Sequence, residues 1–302
     1  DKATPSDILD VQPDDSALFH ERWRTLLLDQ VLTPATVQND ARRAEFRRLV
    51  MSTWTGRADP GSVAYTLVRS FRGAVSRLVY GALNDFVRRT DPDFDFGRAN
   101  RAEGPLWQLV SGRPLHMLDA RYGSWDGLLI AAVDDAIREL TAAGMSLEQH
   151  TWGAFNRASV MHPLGSAIPM VGRWMNMPDD PLPGDIYTPR AHSPRAGPSE
   201  RMAVSPGREA EGILHMPTGQ SGHPLSPHYS DQHRAWVDGL PLEFLPGAAV
   251  NRLKAAFEEA QNADPNYVET YDTVVSMGSQ PIVIAEQVLR TMARSLKERK
   301  DP

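Results

Sequence analysis

The chain has 302 residues, enough for one large domain or two smaller ones with a real core. Apolar residues at 41% and charged residues at 23% are ordinary for a globular protein, and the net charge of −6 is small and mixed in sign. The basic run Arg42, Arg43, Arg47, Arg48 is offset by Glu45 and reads as one solvated helix face, which argues against nucleic-acid binding. With no cysteine there is neither a disulfide framework nor a thiol nucleophile nor a thiolate metal site.

The first part reads as helix. Asp14, Asp15 and Ser16 offer caps for a segment with Phe19, Trp23, Leu26 and Leu27 on one face, which must end by Pro34. Residues 40–54 repeat the pattern through Phe46, Leu49, Val50 and Trp54. The strongest pattern, from Gly61 to Arg89, places Val63, Leu67, Phe71, Ala74, Val75, Leu78, Ala82 and Phe86 inward, with Arg69, Arg72, Arg77 and Arg88 on other faces. Asp91-Pro92 opens a polar loop that runs to Gly104, and a short apolar piece, Leu106–Val110, follows. Ser124 to Ala143 predicts another amphipathic helix, with Trp125, Leu128, Leu129, Ala132, Val133, Ala136, Ile137 and Leu140 inward and Gly144 at the C-terminal cap.

The character changes near Gln149. Prolines and glycines punctuate Pro163 to Pro227, and Met202-Ala203-Val204 and Gly212–Met216 are the best strand candidates, joined through Pro206 and Gly207. A short helix is predicted within His228–Val237, and after Leu245-Pro246-Gly247 the pattern is helical again, around Leu253–Ala260 and Ile282–Leu296. The expected division is a helical lobe over 1–148, an irregular β-containing segment over 149–247 and a helical extension over 248–302. No stretch approaches the roughly 18 apolar residues of a membrane helix. A chain opening on Asp1 rather than Met suggests a processed product or a piece of something longer.

The candidate chemistry is sparse. His215, His223, His228 and His233 cluster in sequence, but a zinc site wants ligands at i and i+4 on a helix with a carboxylate nearby. His228 and His233 are five apart and HExxH is absent, so loop and capping roles are expected and no metal ligand is assigned. Gly219-Gln220-Ser221-Gly222 resembles a nucleophile elbow only in part, because position 223 is His rather than Gly and Pro224 stops a following helix. The pairs Asp14-Asp15, Asp134-Asp135 and Asp179-Asp180 are expected to cap helices or face solvent, since neighbours on a helix diverge. Neither GxGxxG nor GxxxxGK occurs.

Four ordered motifs carry a resemblance. They are Ser6–Phe19; Trp152-Gly153 with Asn156-Arg157 and His162-Pro163-Leu164; Ser199-Glu200-Arg201-Met202-Ala203-Val204-Ser205-Pro206-Gly207; and Gly219–Gln232 leading to Trp236-Val237-Asp238-Gly239. From Asp1 to about Gly247 the sequence resembles the C-terminal stretch of the β subunit of penicillin acylases, a family of N-terminal nucleophile amidohydrolases. The resemblance implies an α+β fold: a helical lobe and a β-containing region that would complete an αββα sandwich, followed here by a helical tail. It implies a periplasmic or secreted enzyme, matured by autoproteolysis, whose β-subunit serine is activated by its own α-amine. That serine attacks the side-chain amide of a β-lactam antibiotic or an N-acyl homoserine lactone, and donors hold the oxyanion.

By the same resemblance, the nucleophile, the oxyanion asparagine and the carboxylates of a structural calcium lie upstream of anything matching Asp1. No catalytic or metal role therefore falls on a residue of this chain, no cofactor is expected in it, and its substrate-binding residues are unassigned. The expected partners are the upstream α- and β-subunit segments of the same precursor, with no nucleic acid and no membrane. Asp1 cannot replace the serine, since a carboxylate has no hydroxyl to activate. Alone, the chain is expected to be inactive, with late strand edges left bare. The alternative is a non-catalytic binding or structural module derived from such an enzyme. An independent hydrolase using Ser221 with His215, His223 or His228 is the least favoured reading.

Overall fold

The structure, a computed structural model, describes residues 3–96, 102–192 and 197–245. In chain order its α-helices are α1 (Pro5–Val11), α2 (Leu18–Leu26), α3 (Pro34–Val37), α4 (Ala41–Ser52), α5 (Val63–Val87), α6 (Glu103–Gly112), α7 (Trp125–Thr141), α8 (Trp152–Phe155), α9 (Pro163–Ala167), α10 (Pro169–Met175) and α11 (His233–Asp238). Strands β1 (Arg201–Ala203) and β2 (Ile213–His215) lie between α10 and α11. The class is α+β, dominated by helix, with a two-stranded antiparallel sheet among the described residues. Two compact units form: a helical one from Asp14–Arg157 with Pro181–Ser193, and a mixed one from the described parts of Asp1–Pro13, Ala158–Asp180 and Pro194–Pro302. The helices expected at 253–260 and 282–296, and the whole extension from 248, lie outside the described residues.

The helical unit is built on α5 and α7. Ser62 caps α5 by accepting from the Tyr65 N–H at 3.1 Å, and Ser124 caps α7 by accepting from the Gly127 N–H at 3.0 Å. Beneath them Trp23, Phe46, Val50, Leu67, Phe71, Val75, Leu129 and Val133 are fully buried in one cluster. Each such side chain contributes roughly 1.5–3 kcal/mol by leaving water, more than the few tenths by which helix propensities differ. Packing therefore decides the fold, and β-branched residues sit in α5 without breaking it. The end of α7 follows expectation, with Gly144 at φ +78° and its N–H on the Thr141 carbonyl.

Two expectations fail here for identifiable reasons. Asp15 and Ser16 do not cap α2; its cap position is Ala17, which makes no side-chain cap bond. The residues before α2 are held in a short ladder instead, Ala17 N–H to Gly56 O and Ala58 N–H to Asp15 O, both 2.8 Å, with a bridge between Ser16 and Arg57. Phe86 is 69% exposed although its spacing places it on the core stripe. The loop at 94–96 covers the other side of the last turns: Asn84 accepts from Phe96 N–H at 2.7 Å, and Phe96 stacks on Tyr80. Asn84, polar, is buried where Phe86 is not.

In the mixed unit β1 and β2 pair in the register Arg201↔His215, Met202↔Leu214, Ala203↔Ile213. Side chains alternate across the pleat, so Arg201, Ala203, Ile213 and His215 are buried while Met202 points outward. Both strands make further hydrogen bonds within the chain. Gln12, at the end of α1, donates Nε2–H to the Met202 carbonyl at 3.0 Å. On the far side of β2, Leu214 N–H bonds Leu242 O at 3.0 Å and Phe244 N–H bonds Gly212 O at 2.9 Å. Leu9 of α1 is buried, which places the first residues of the chain with the strands rather than with the helical lobe.

Candidate functional site

In the mixed unit the Gly219–Asp231 loop is held by its own backbone. Gly219 N–H bonds the Tyr229 carbonyl at 2.8 Å and Ser221 N–H bonds the His228 carbonyl at 3.0 Å. A Cβ on residue 219 would stand 2.0 Å from the His228 carbonyl oxygen, so only glycine fits there, whereas one on Gly222 would meet nothing. The Ser221 hydroxyl oxygen accepts from the His223 N–H at 3.1 Å, and His223 Nδ1 accepts from the Leu225 N–H at 3.2 Å. Both groups thus accept backbone bonds that shape the turn. His228 Nδ1 meets Asp231 at 2.8 Å on the surface, and the Tyr229 hydroxyl donates to Met175 O at 2.5 Å.

His233 is 3% exposed and lies between two acceptors, the Pro217 carbonyl at 2.7 Å from Nδ1 and Asp180 Oδ2 at 3.2 Å from Nε2. His215 is buried in β2. The four histidines thus go to separate tasks and do not converge. Among the described residues no group of three or more His, Asp or Glu side chains is placed to hold a metal ion. The acidic pairs also go to structure. Asp14 accepts from Ser16 N–H, Asp15 pairs with Arg57, Asp134 takes Arg43 in a two-pronged bond at 2.6 and 2.8 Å, Asp135 pairs with Arg138, and Asp180 holds His233.

The Trp152-Gly153…Asn156 motif has a packing rationale in the helical unit. Trp152 Nε1–H donates to the Gly184 carbonyl at 2.9 Å, and Asn156 donates to the Leu182 and Gly184 carbonyls, also at 2.9 Å. Gly153 lies so close to Pro60 and Pro181 that a Cβ would stand 2.6 and 2.8 Å from theirs.

A buried polar network in the same unit escaped the sequence reading, which placed Arg69 and Arg72 only on faces other than the apolar stripe. Asp185, fully buried, accepts from the Tyr65 hydroxyl at 2.9 Å and from Arg69 at 2.7 and 3.3 Å. Burial, with the Asp185 carboxylate beside it, pushes the Tyr65 phenol well above its ordinary range. Glu103 gathers Arg22 at 2.6 Å, Trp23 Nε1–H at 2.9 Å and Arg72 at 2.5 and 3.0 Å. His20 is fully buried among Phe19, Tyr65 and Tyr187, and neither ring nitrogen has a hydrogen-bond partner. Burial, aided by Arg69, Arg72 and Arg22, lowers its pKa to about 3, so it is neutral at pH 7. Asp185 takes Arg69 alone, whereas Glu103 is shared by Arg22 and Arg72. Pairs this far apart in sequence leave no local signal.

Comparison with known proteins supplies the context that the geometry lacks. The family model described as penicillin amidase matches residues 1–247. The penicillin acylase 2 proenzyme of Pseudomonas sp. (strain SE83) is 30% identical over 215 residues, covering 67% of this chain and 26% of that protein. The chain thus spans about a quarter of the length of the relative it matches. With the motifs falling on tightly packed turns and strands, and the family model running through all of them, the chain belongs to the penicillin amidase family.

Proposed function

We propose that this chain is a structural part of an acylase-type amide hydrolase, working with segments that carry the nucleophile, and that the complete enzyme cleaves the side-chain amide of a β-lactam antibiotic or an N-acyl homoserine lactone. The observation that carries this is the family match across residues 1–247 in a chain that covers 26% of a relative described as a proenzyme. In this reading the nucleophilic serine heads a β-subunit segment outside the chain, its α-amine takes the hydroxyl proton, and an acyl-enzyme forms and is hydrolysed. The helical unit buttresses the assembly, and β1, β2 and the paired segment at 242–244 add to its αββα sandwich. The working compartment is the periplasm or the outside of the cell. The use of the Ser221 hydroxyl and His223 within one turn supports a bracing role for the 219–231 loop over a nucleophilic one.

The test is complementation. The chain is refolded with the remaining segments of the precursor and assayed on a chromogenic acyl-anilide. Association and a gain in amide cleavage are expected. Cleavage by the 302-residue chain alone, or a failure to associate, overturns the reading.

A further inference from the structure

The α9–α10 hairpin of the mixed unit turns its large apolar side chains outward. Met161, Leu164, Ile168, Met170 and Trp174 are each at least half exposed, Met170 at 71% and Trp174 at 65%. The reason lies in how the two helices meet. A Cβ on Gly165 would stand 2.9 Å from the Gly172 Cα, and one on Gly172 would stand 2.8 Å from the Gly165 carbonyl oxygen. Backbone packs on backbone there, and no large side chain fits between the helices. Met170 and Trp174, four apart, share one face of α10.

The display is held in place at its base. Asn176 Oδ1 accepts from the His162 N–H at 3.0 Å, Met177 N–H bonds the Val160 carbonyl at 3.1 Å, and the Tyr229 hydroxyl donates to Met175 O. A surface fixed beforehand gives up little freedom when a partner binds. Single exposed apolar residues are ordinary, but a cluster of this kind marks an interaction surface. Charge narrows the partner. Arg173 is exposed, its guanidinium carbon lies 5.7 Å from the Trp174 ring, and it has no carboxylate partner among the described residues. An apolar segment with an acidic side chain beside it complements both features. The family match runs through the hairpin, and the chain covers 26% of a relative described as a proenzyme. Most of such a precursor is polypeptide that can supply that segment.

We propose that the α9–α10 hairpin is the docking surface of the mixed unit for the rest of the precursor, which lays an apolar segment on Met170 and Trp174 and sets an Asp or Glu against Arg173. The inference rests on the reading of the chain as one part of an acylase, and it names a surface by which that part is held.

The chain is mixed with the remaining precursor segments and the dissociation constant is measured for wild type and variants. Met170→Ser combined with Trp174→Ser is expected to raise Kd at least tenfold, as the loss of two apolar anchors does, while the melting temperature of the free chain stays the same. Arg173→Glu is expected to weaken binding about tenfold and Arg173→Lys to restore most of it. Phe86→Ser, which alters a comparably exposed side chain of the helical unit, is expected to bind as wild type does. A benzophenone side chain placed at position 170 is expected to crosslink to the precursor segments, read by mass spectrometry. If the wild-type chain does not associate at all, the acylase reading falls and this proposal with it. Association that the hairpin variants leave within twofold, a Phe86→Ser loss as large as theirs, or crosslinks to a second copy or to residues 248–302 overturns the docking surface alone.

Discussion

The buried histidine in α2 makes the stability of the helical unit acid-sensitive in a calculable way. His20 titrates near 6.5 in an unfolded chain and at about 3 in the folded one. Between those values the unfolded state takes the proton and the folded state refuses it. The stabilising difference is therefore complete above about pH 6.5 and is lost as pH falls toward 3. Each unit of pH in that window costs up to about 1.4 kcal/mol, so dropping from pH 7 to pH 5 removes about 2 kcal/mol. Asp15, whose pKa burial raises, pulls the other way, because its folded state binds a proton more readily. It does so equally in any variant that leaves it untouched. The perturbation is His20→Phe, which keeps a ring against Phe19, Tyr65 and Tyr187 and removes two unpartnered nitrogens. The larger ring costs about 1–3 kcal/mol in overpacking, but that cost does not depend on pH. Urea unfolding at pH 7 and pH 5, followed by tryptophan fluorescence, should show the wild-type chain losing about 2 kcal/mol more than the variant. Equal losses in the two chains would refute the argument that burial keeps this ring neutral.

Three further outcomes follow from packing. Asp185→Ala leaves Arg69 and the Tyr65 hydroxyl without their acceptor in a buried setting, and a loss of about 3–5 kcal/mol in urea unfolding is expected; a loss under 1 kcal/mol would mean that water replaces the carboxylate. Gly219→Ala forces a Cβ against the His228 carbonyl, while Gly222→Ala meets open space. Limited proteolysis should therefore cut the 219–231 loop faster in the first variant and leave the second unchanged. Ser221→Ala is expected to leave amide cleavage by the complemented enzyme within about twofold of wild type, because the hydroxyl serves the turn; a loss of several orders of magnitude would make Ser221 a nucleophile after all.

The long periodic helices were legible because a stripe of large apolar residues outweighs every local preference. The α4, α5 and α7 segments emerge within a few residues of expectation, as do β1, β2 and the glycine after α7. What was not legible depends on chain segments far apart. Phe86 lies on the same stripe as Val75, and only the 94–96 loop decides that Asn84 is covered instead. Likewise Arg69 and Asp185, 116 positions apart, look like two solvated charges until the fold joins them. Of the candidate residues, the histidines and acidic pairs were read as turn, cap and surface groups, and in the structure His223 accepts from Leu225 N–H, His228 meets Asp231, Asp14 accepts from Ser16 and Asp180 holds His233. The capping proposed for Asp15 and Ser16 failed because the ladder with Gly56 and Ala58 had already claimed that stretch.

The contact between Gln12 and the Met202 carbonyl spans 190 positions, and that separation sets a timetable for the ribosome. At a synthesis rate of 5–20 residues per second, the first helix waits on the order of 10–40 s before the strand it rests on has been made. Throughout that interval α1 lacks the strands it packs on, while the helical segments that follow can already condense. The α1 segment is thus a natural holding point for a chaperone until β1 has emerged.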